Sequence, residues 1–340
     1  MLVRVHSSVR SSTDQHSWEG VDTGVDFDLL VVGDANPDVV LVGVPDRPAF
    51  GQREQLAETG TLTLGGSAAI LACGAARLGL RVAFVGRVGD DEAGRFAVAT
   101  LAARGVYTGG CAVDSSLPTA ITAVLVRGAD RAILTSPGCL GALSADDVDA
   151  GLVAAARHLH VSSVFLQPRL ASGLAGLFER ARAGGTGTSL DTNDDPAGRW
   201  DGGLHAALSA TDVLLPNERE ALAIAGRTDG DLAAAARDLA AMGPLPVIKC
   251  GGQGALAYAG GELLRTGAFV MDVADTVGAG DSFDAGFLAG WLTGRALSDS
   301  LTLAAACGSL STRALGGIDA QPSMAEALAT VAAGQPLASP

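Results

Sequence analysis

The sequence predicts an α/β protein with a mainly parallel central sheet, helices on both of its faces, and a smaller group of strands outside it. Three observations point there. Short apolar runs alternate with helix-periodic segments along most of the 340 residues, as in parallel strands joined by crossover helices. The chain is 48% hydrophobic but only 4% aromatic and carries 46 glycines, a small-residue composition suited to helices packed closely on a sheet. Between residues 39 and 64, and again at 112–127, short alternating stretches interrupt the strand–helix rhythm.

Residues 27–34 form an apolar run and predict a buried strand ending in Gly33-Asp34-Ala35-Asn36-Pro37-Asp38. Polar residues just past a central strand sit where open α/β sheets bind ligands; the plain alternative is an Asn-Pro turn. In 39–64, Thr59, Thr61 and Thr63 alternate with Gly60, Leu62 and Leu64, which fits small strands beyond the main sheet or a surface hairpin. Gly65 and Gly66 permit close backbone approach and open a helix to 79, followed by a strand at 81–86. A helix is expected at 93–104 and strands at 111–114, 120–127 and 131–135. Ser144 is an N-cap signal for a helix to about 158. A strand at 161–165 then leads to Gln167, and Arg169 is either solvated or turned to an anion. A helix at 170–183 and a strand at 186–190 precede Asp191 and Asn193, which are either ligand groups or ordinary turn residues. A strand at 213–216 runs into Asn217-x-x-Glu220, a capping pair whose amide and carboxylate also suit a Mg²⁺ that keeps its waters. Strand 246–249 ends at Lys249, with Gly251 and Gly254 just beyond. Short strands at 255–259, 262–265 and 268–271 follow, then an Ala-rich helix at 301–311 and a last helix beyond Pro322. One domain is expected over 27–333, with 1–26 a poorly ordered extension and 334–340 a tail.

The stretch with the most chemistry is Asp275-Thr276-Val277-Gly278-Ala279-Gly280-Asp281-Ser282-Phe283. Phe283, Phe287, Leu288 and Trp291 make an apolar stripe, so a helix begins near Gly280. Its start exposes unpaired N–H groups and a partial positive charge, and Gly278, Ala279 and Gly280 keep no bulk between them and an anion. Asp281 would repel a phosphate unless it serves the group that attacks the phosphate. A carboxylate beside a hydroxyl, with an anion hole alongside, is the layout for phosphoryl transfer. The GxxxxGK[ST] P-loop is absent from the chain.

This stretch resembles the C-terminal signature of the ribokinase-like (PfkB) carbohydrate kinase family, Asp-Thr-x-Gly-Ala-Gly-Asp-x-Phe. Residues 65–94, including Val85-Gly86-Arg87-Val88-Gly89-Asp90-Asp91, resemble its N-terminal signature, and the likeness spans 27–333. The resemblance implies a ribokinase-like fold with a β lid, here 39–64 and 112–127, that covers a sugar and often pairs in a homodimer. It implies ATP-dependent phosphorylation of a sugar hydroxyl, with Asp281 as base and Gly278, Ala279 and Gly280 as anion hole. Asn36, Asp38, Gly65, Gly66 and Gln167 would face the sugar. Asp191, Asn193, Asn217, Glu220, Lys249, Gly251, Gly254 and Gly280 would face ATP. Glu220 would hold Mg²⁺ through water, Asp275 would help hold K⁺, and the 301–311 helix would flank adenine. Ribokinase-type members usually carry Asn where this chain has Ile70. A nucleoside kinase of the same fold therefore stays open as an alternative, as does a catalytically idle sugar-binding regulator, against which the intact Asp281 argues.

A net charge of −14 and the lack of a basic run argue against nucleic acid or anionic membrane as partners. Five scattered cysteines without a CxxC predict a reduced, cytoplasmic protein without a cysteine metal site. No apolar run approaches the ~18–20 residues of a membrane span, and the first 25 residues lack a signal-peptide core.

Overall fold

The computed structural model describes residues 26–128 and 130–334. The expected extension and tail lie outside that range except for Asp26 and Gly334. The chain opens with β1 (Leu29–Val32), β2 (Asn36–Val42) and β3 (Thr59–Gly65), then α1 (Ser67–Arg77), β4 (Val82–Val85), β5 (Arg87–Gly89), α2 (Glu92–Ala103), β6 (Ala112–Asp114), β7 (Ile121–Arg127) and β8 (Asp130–Ser136). It continues with α3 (Ala150–Ala154), β9 (His158–Ser162), α4 (Pro168–Ala183), β10 (Gly187–Asp191), α5 (Leu204–Leu208), β11 (Val213–Leu214), α6 (Glu218–Ile224) and α7 (Leu232–Ala241). Then come β12 (Leu245–Lys249), β13 (Ala255–Ala259), β14 (Glu262–Thr266), α8 (Ala279–Leu292), α9 (Leu297–Ser311) and α10 (Met324–Ala333).

Eight strands form the main sheet in the order β14-β13-β12-β11-β10-β9-β1-β4. From β4 to β12 all neighbours are parallel, and β13 and β14 add an antiparallel edge. Alternate residues of each strand feed two cores. Leu29, Val31, Phe84, Val213 and Val247 pack with α1, α8 and α9. Leu30, Val32, Val85, Val161, Leu190 and Ile248 pack with α4 on the other face. Burial on both faces is why these strands read as continuous apolar runs. Strand β1 has β4 on one side and β9 on the other, so the strand order reverses there. Ligands bind at such a switch point, outside the carboxyl ends of the strands.

A second sheet, β3-β2-β7-β8, stands apart from the first. It revises the expected lid boundaries. Residues 112–114 pair with β5 in a separate two-stranded ribbon, while β8 continues from β7 as an antiparallel partner and belongs to the lid. Three further elements differ from expectation. Ser144 does make a capping box with Asp147, but it closes only the turn Ala145–Asp147; the helix restarts under Asp149 and ends at Ala154. Next, β9 starts at His158 because His158, His160 and Ser162 alternate with Leu159 and Val161, a period of two. It stops at Ser162, where Ser163 turns the chain at φ 57°. Finally, residues 268–271 form no strand: the chain leaves the sheet toward α9, where the Phe269 N–H donates to Ser309 Oγ at 3.1 Å.

Candidate active site

One cavity of about 1010 Å³ lies between the carboxyl ends of the main sheet and the lid. Asp34, Ser163, Asp191, Asn217 and Lys249 enter it from the ends of β1, β9, β10, β11 and β12, and Asn36, Asp38, Thr122 and Thr135 from the lid.

The floor is the start of α8. Gly278 is its N-cap at φ 73°, a left-handed conformation that suits glycine. A Cβ there would fall 2.6 Å from Gly317 Cα, so the turn is closed by backbone on that side. The first-turn N–H groups of a helix have no carbonyl partner within it, and Gly278, Ala279, Gly280 and Asp281 all line the cavity. Asp275 does not. Its carboxylate accepts from Val277 N and Gly316 N at 3.0 Å each, tying the turn to the loop after α9.

Asp281 is 8% exposed. Burial pushes its carboxyl up to about 8, Asp191 and Asp34 add to the rise, and Lys249 opposes it. Beneath the turn, Lys249 Nζ lies 2.8 Å from Asp191 Oδ2 and 2.9 Å from Asp284 Oδ2. Asp284 Oδ1 is buried with no partner. Burial raises Asp284 well above the usual carboxylate range, Lys249 works against it, and Asp191 reinforces it. For Asp191 burial also acts upward, but Lys249 and its hydrogen bonds outweigh it and hold the carboxyl low. Of the two carboxylates on Lys249, the environment thus favours the charged form of Asp191 over that of Asp284. Lys249 was expected to face the nucleotide phosphates. It lines the cavity, yet its ammonium is already engaged by these two carboxylates.

On the side expected to face the nucleotide, Asn217 Oδ1 accepts from Glu220 N while the Glu220 carboxylate accepts from Asn217 N and Nδ2. Burial, then Asp191, raises Glu220 to about 7. Gly251, Gly252, Gly254, Phe269, Ala305, Gly308 and Ser309 complete this half. Of the three alanines expected to flank adenine, Ala305 reaches the wall while Ala304 and Ala306 are buried in the core. The donor set fits a Mg²⁺ that keeps most of its waters. Glu220 supplies one carboxylate on the cavity wall, already held by Asn217 N and Nδ2, which suits a Mg²⁺ bound by few protein groups; among the described residues no group of three or more His, Cys, Asp or Glu forms a metal cage.

On the side expected to face the sugar, Asn36 Nδ2 donates to Asp38 Oδ1 at 2.8 Å and to Thr122 Oγ1 at 3.2 Å. Burial, then Asp34, raises Asp38 to about 7. Gly66 lines the cavity; Gly65 does not, but a Cβ on it would overlap the Asp38 carboxylate, so Gly65 makes room for Asp38. Asn193, at φ 53°, accepts from Ser163 N and donates to Ser67 Oγ at 2.7 Å. Gln167 is a correction. It is fully buried behind the site, outside the cavity wall, and its amide donates to the Ser162 and Ser163 carbonyls. The strand ends earlier than expected, so Ser163 takes the cavity position and Gln167 falls at the N-cap of α4. Arg169 is exposed and off the cavity.

Sequence reasoning missed Asp34, whose carboxylate caps α1 through Ser67 N and Ala68 N; the signal was a polar residue directly after the strand. It also missed Ser67, and Arg131 on the lid. Among described residues no helix is long and apolar enough to cross a membrane.

The sequence profile of the pfkB family carbohydrate kinases matches residues 26–324. A 5-dehydro-2-deoxygluconokinase from Shouchella clausii is 29% identical over 91% of this chain and 96% of its own. A fructokinase from Klebsiella pneumoniae is 34% identical over 76% and 88%. The structure of an Arabidopsis thaliana ribokinase complexed with ribose and ATP superposes with a TM-score of 0.77 at 25% identity, covering 90% of this chain and 98% of that one. With its glycine turn, its mostly parallel sheet and this match, the chain belongs to the pfkB family of carbohydrate kinases.

Proposed function

We propose that this kinase moves the γ-phosphoryl of ATP to a hydroxyl of a small sugar held between the lid and the sheet, with Asp281 as general base. The observation that carries this is the placement of a buried carboxylate within the first turn of α8, beside the Gly278-Ala279-Gly280 turn, in one cavity with the Asn36–Asp38–Thr122 cluster. Asn36 and Asp38 orient the acceptor hydroxyls. The ionised Asp281 carboxylate accepts the attacking hydroxyl's proton. The N–H groups of the turn stabilise charge developing on the transferring phosphoryl. Lys249 balances Asp191 beneath the turn and keeps a cation near the reaction without touching the phosphate. Gly251 and Gly254 leave room for the nucleotide, and Asn217 and Glu220 would hold Mg²⁺ through water, which when bound neutralises phosphate charge.

A nucleoside is the second acceptor class, favoured by one observation: Ile70, Val124 and Ile133 give the acceptor wall an apolar face. A panel of sugars and nucleosides with ATP and Mg²⁺ decides between them; phosphorylation of none of them would sink the proposal. A homodimer is proposed through the lid. Leu62 and Leu134, both more than half exposed, lie with Val39 and Ala123 on its outer face, and a monomeric mass by light scattering at micromolar concentration contradicts it. K⁺ would act on the tie that Asp275 makes to the turn; equal activity with a large organic cation removes that role. Five unpaired cysteines fit a reducing, cytoplasmic setting.

A further inference from the structure

The inner face of the lid is organised in three cross-strand rungs. Asp38, Thr122 and Thr135 are mutual partners on β2, β7 and β8, followed by Val40, Val124 and Ile133, then Val42, Val126 and Arg131. The first rung is polar and internally hydrogen-bonded, with Thr122 Oγ1 3.1 Å from Thr135 Oγ1. The second is apolar. The third ends in a guanidinium that reaches across the cavity mouth, Arg131 Nη1 donating to Thr276 Oγ1 at 2.9 Å. Alternate residues along a strand are about 7 Å apart, so roughly 13 Å separates the first rung from the third. A long side chain reaching back from the third rung can meet the far end of an acceptor whose hydroxyls rest on the first.

Charge makes this contact selective. The cavity is lined by six carboxylates, Asp34, Asp38, Asp191, Asp194, Glu220 and Asp281, and by two cations, Lys249 and Arg131. Lys249 is committed to Asp191 and Asp284. Arg131 makes no ion pair among the described residues, and its only side-chain bond there is the neutral one to Thr276. A neutral sugar would leave this guanidinium without a charged partner. Thr276 lies just ahead of the α8 turn, so the guanidinium stands at the mouth between that turn and the acceptor, and kinetics must tell an acceptor anion from the transferring phosphoryl.

Resting on the kinase reading above, we propose that Arg131 selects an acceptor carrying an anionic group, a carboxylate or a phosphate, at the end remote from the phosphorylated hydroxyl. The guanidinium would exchange its Thr276 bond for a charge-assisted one to that group.

The test compares hexoses with the matching hexonates and hexose phosphates as acceptors, for the wild-type chain, Arg131→Ala and Arg131→Lys. The wild type is expected to favour an anionic acceptor over its neutral parent by tenfold or more in kcat/KM; the better of hexonate and hexose phosphate identifies the group. Arg131→Ala should raise KM for that acceptor roughly tenfold or more, as loss of a charge-assisted bond does. Its kcat should stay within about threefold, KM for ATP and for neutral sugars should not move, and Arg131→Lys should recover part of the loss. A wild-type preference for neutral sugars overturns the proposal. So does an equal fall in kcat for neutral and anionic acceptors, which would place Arg131 on the transferring phosphoryl. Calorimetric binding of the hexonate and hexose phosphate without ATP separates the two claims. If nothing is phosphorylated but the wild type binds an anionic sugar and Arg131→Ala does not, the kinase reading fails and the Arg131 site stands; if neither binds, the site fails as well.

Discussion

Asp281, Glu220 and Asp38 are each raised to between about 7 and 8, because burial disfavours the charged carboxylate and neighbouring aspartates add to it. The base must be ionised to work. The expected kcat/KM profile therefore rises with pH through an apparent value of about 7 to 8 that belongs to the cluster rather than to one residue. A profile flat down to about pH 5 would contradict the assignment of a buried carboxylate base. The ion cluster beneath the turn gives a second expectation. Lys249→Met leaves Asp191 and Asp284 without their ammonium and should cost about 3–5 kcal/mol in denaturant unfolding. Burial raises the Asp284 carboxyl and makes it the weaker ionic partner of Lys249, so Asp284→Asn should cost a small fraction of that. Equal losses would show that Asp284 carries a full charge in the native protein. Most of these residues were legible as types: polar groups just past apolar strands. Their pairing was not. Nothing in the spacing of Asp191, Lys249 and Asp284 says that one ammonium serves both carboxylates, and the charge-balancing role proposed for Lys249 rests on that pairing.

The α8 turn separates a backbone role from a ligand role. Gly278 sits at φ 73° with Gly317 Cα in the way of a Cβ, so Gly278→Ala should lower stability by about 1 kcal/mol or more and activity with it. At Gly280 a Cβ would make only an ordinary contact, 3.6 Å from Lys249 Nζ. Gly280→Ala is therefore expected to melt close to the parent, and its activity reads how near the phosphoryl comes to the backbone. A Gly280→Ala protein as unstable as Gly278→Ala would contradict this division. Among elements, long periodic ones such as α4 and α9 were readable from the sequence. Short ones were not, because caps compete over a few residues. Ser144 and Asp149 each start a turn, and the second ended the helix expected from the first. The same brevity hid the true end of β9, and with it the exchange of Gln167 for Ser163 at the cavity.

The whole molecule sets the lid, the glycine-rich wall beyond β12 and the α8 turn around one opening at the switch point beside β1. Alternating apolar segments were enough to expect the main sheet, since its strands are buried on both faces. Lid membership was not readable, because a strand's residues do not name its partner and only register assigns β6 to β5 and β8 to β7. The account stands on Asp281 acting as the base in this opening. The direct measurement is turnover and ATP affinity of Asp281→Asn on the best acceptor, alongside the wild type. The expected result is a kcat loss of about 10²–10⁴-fold or more with the fold retained and ATP binding unchanged or slightly tighter, since a negative charge near the phosphates is gone. Near-wild-type turnover would contradict the account, and loss of ATP binding together with activity would make Asp281 a structural cap of α8.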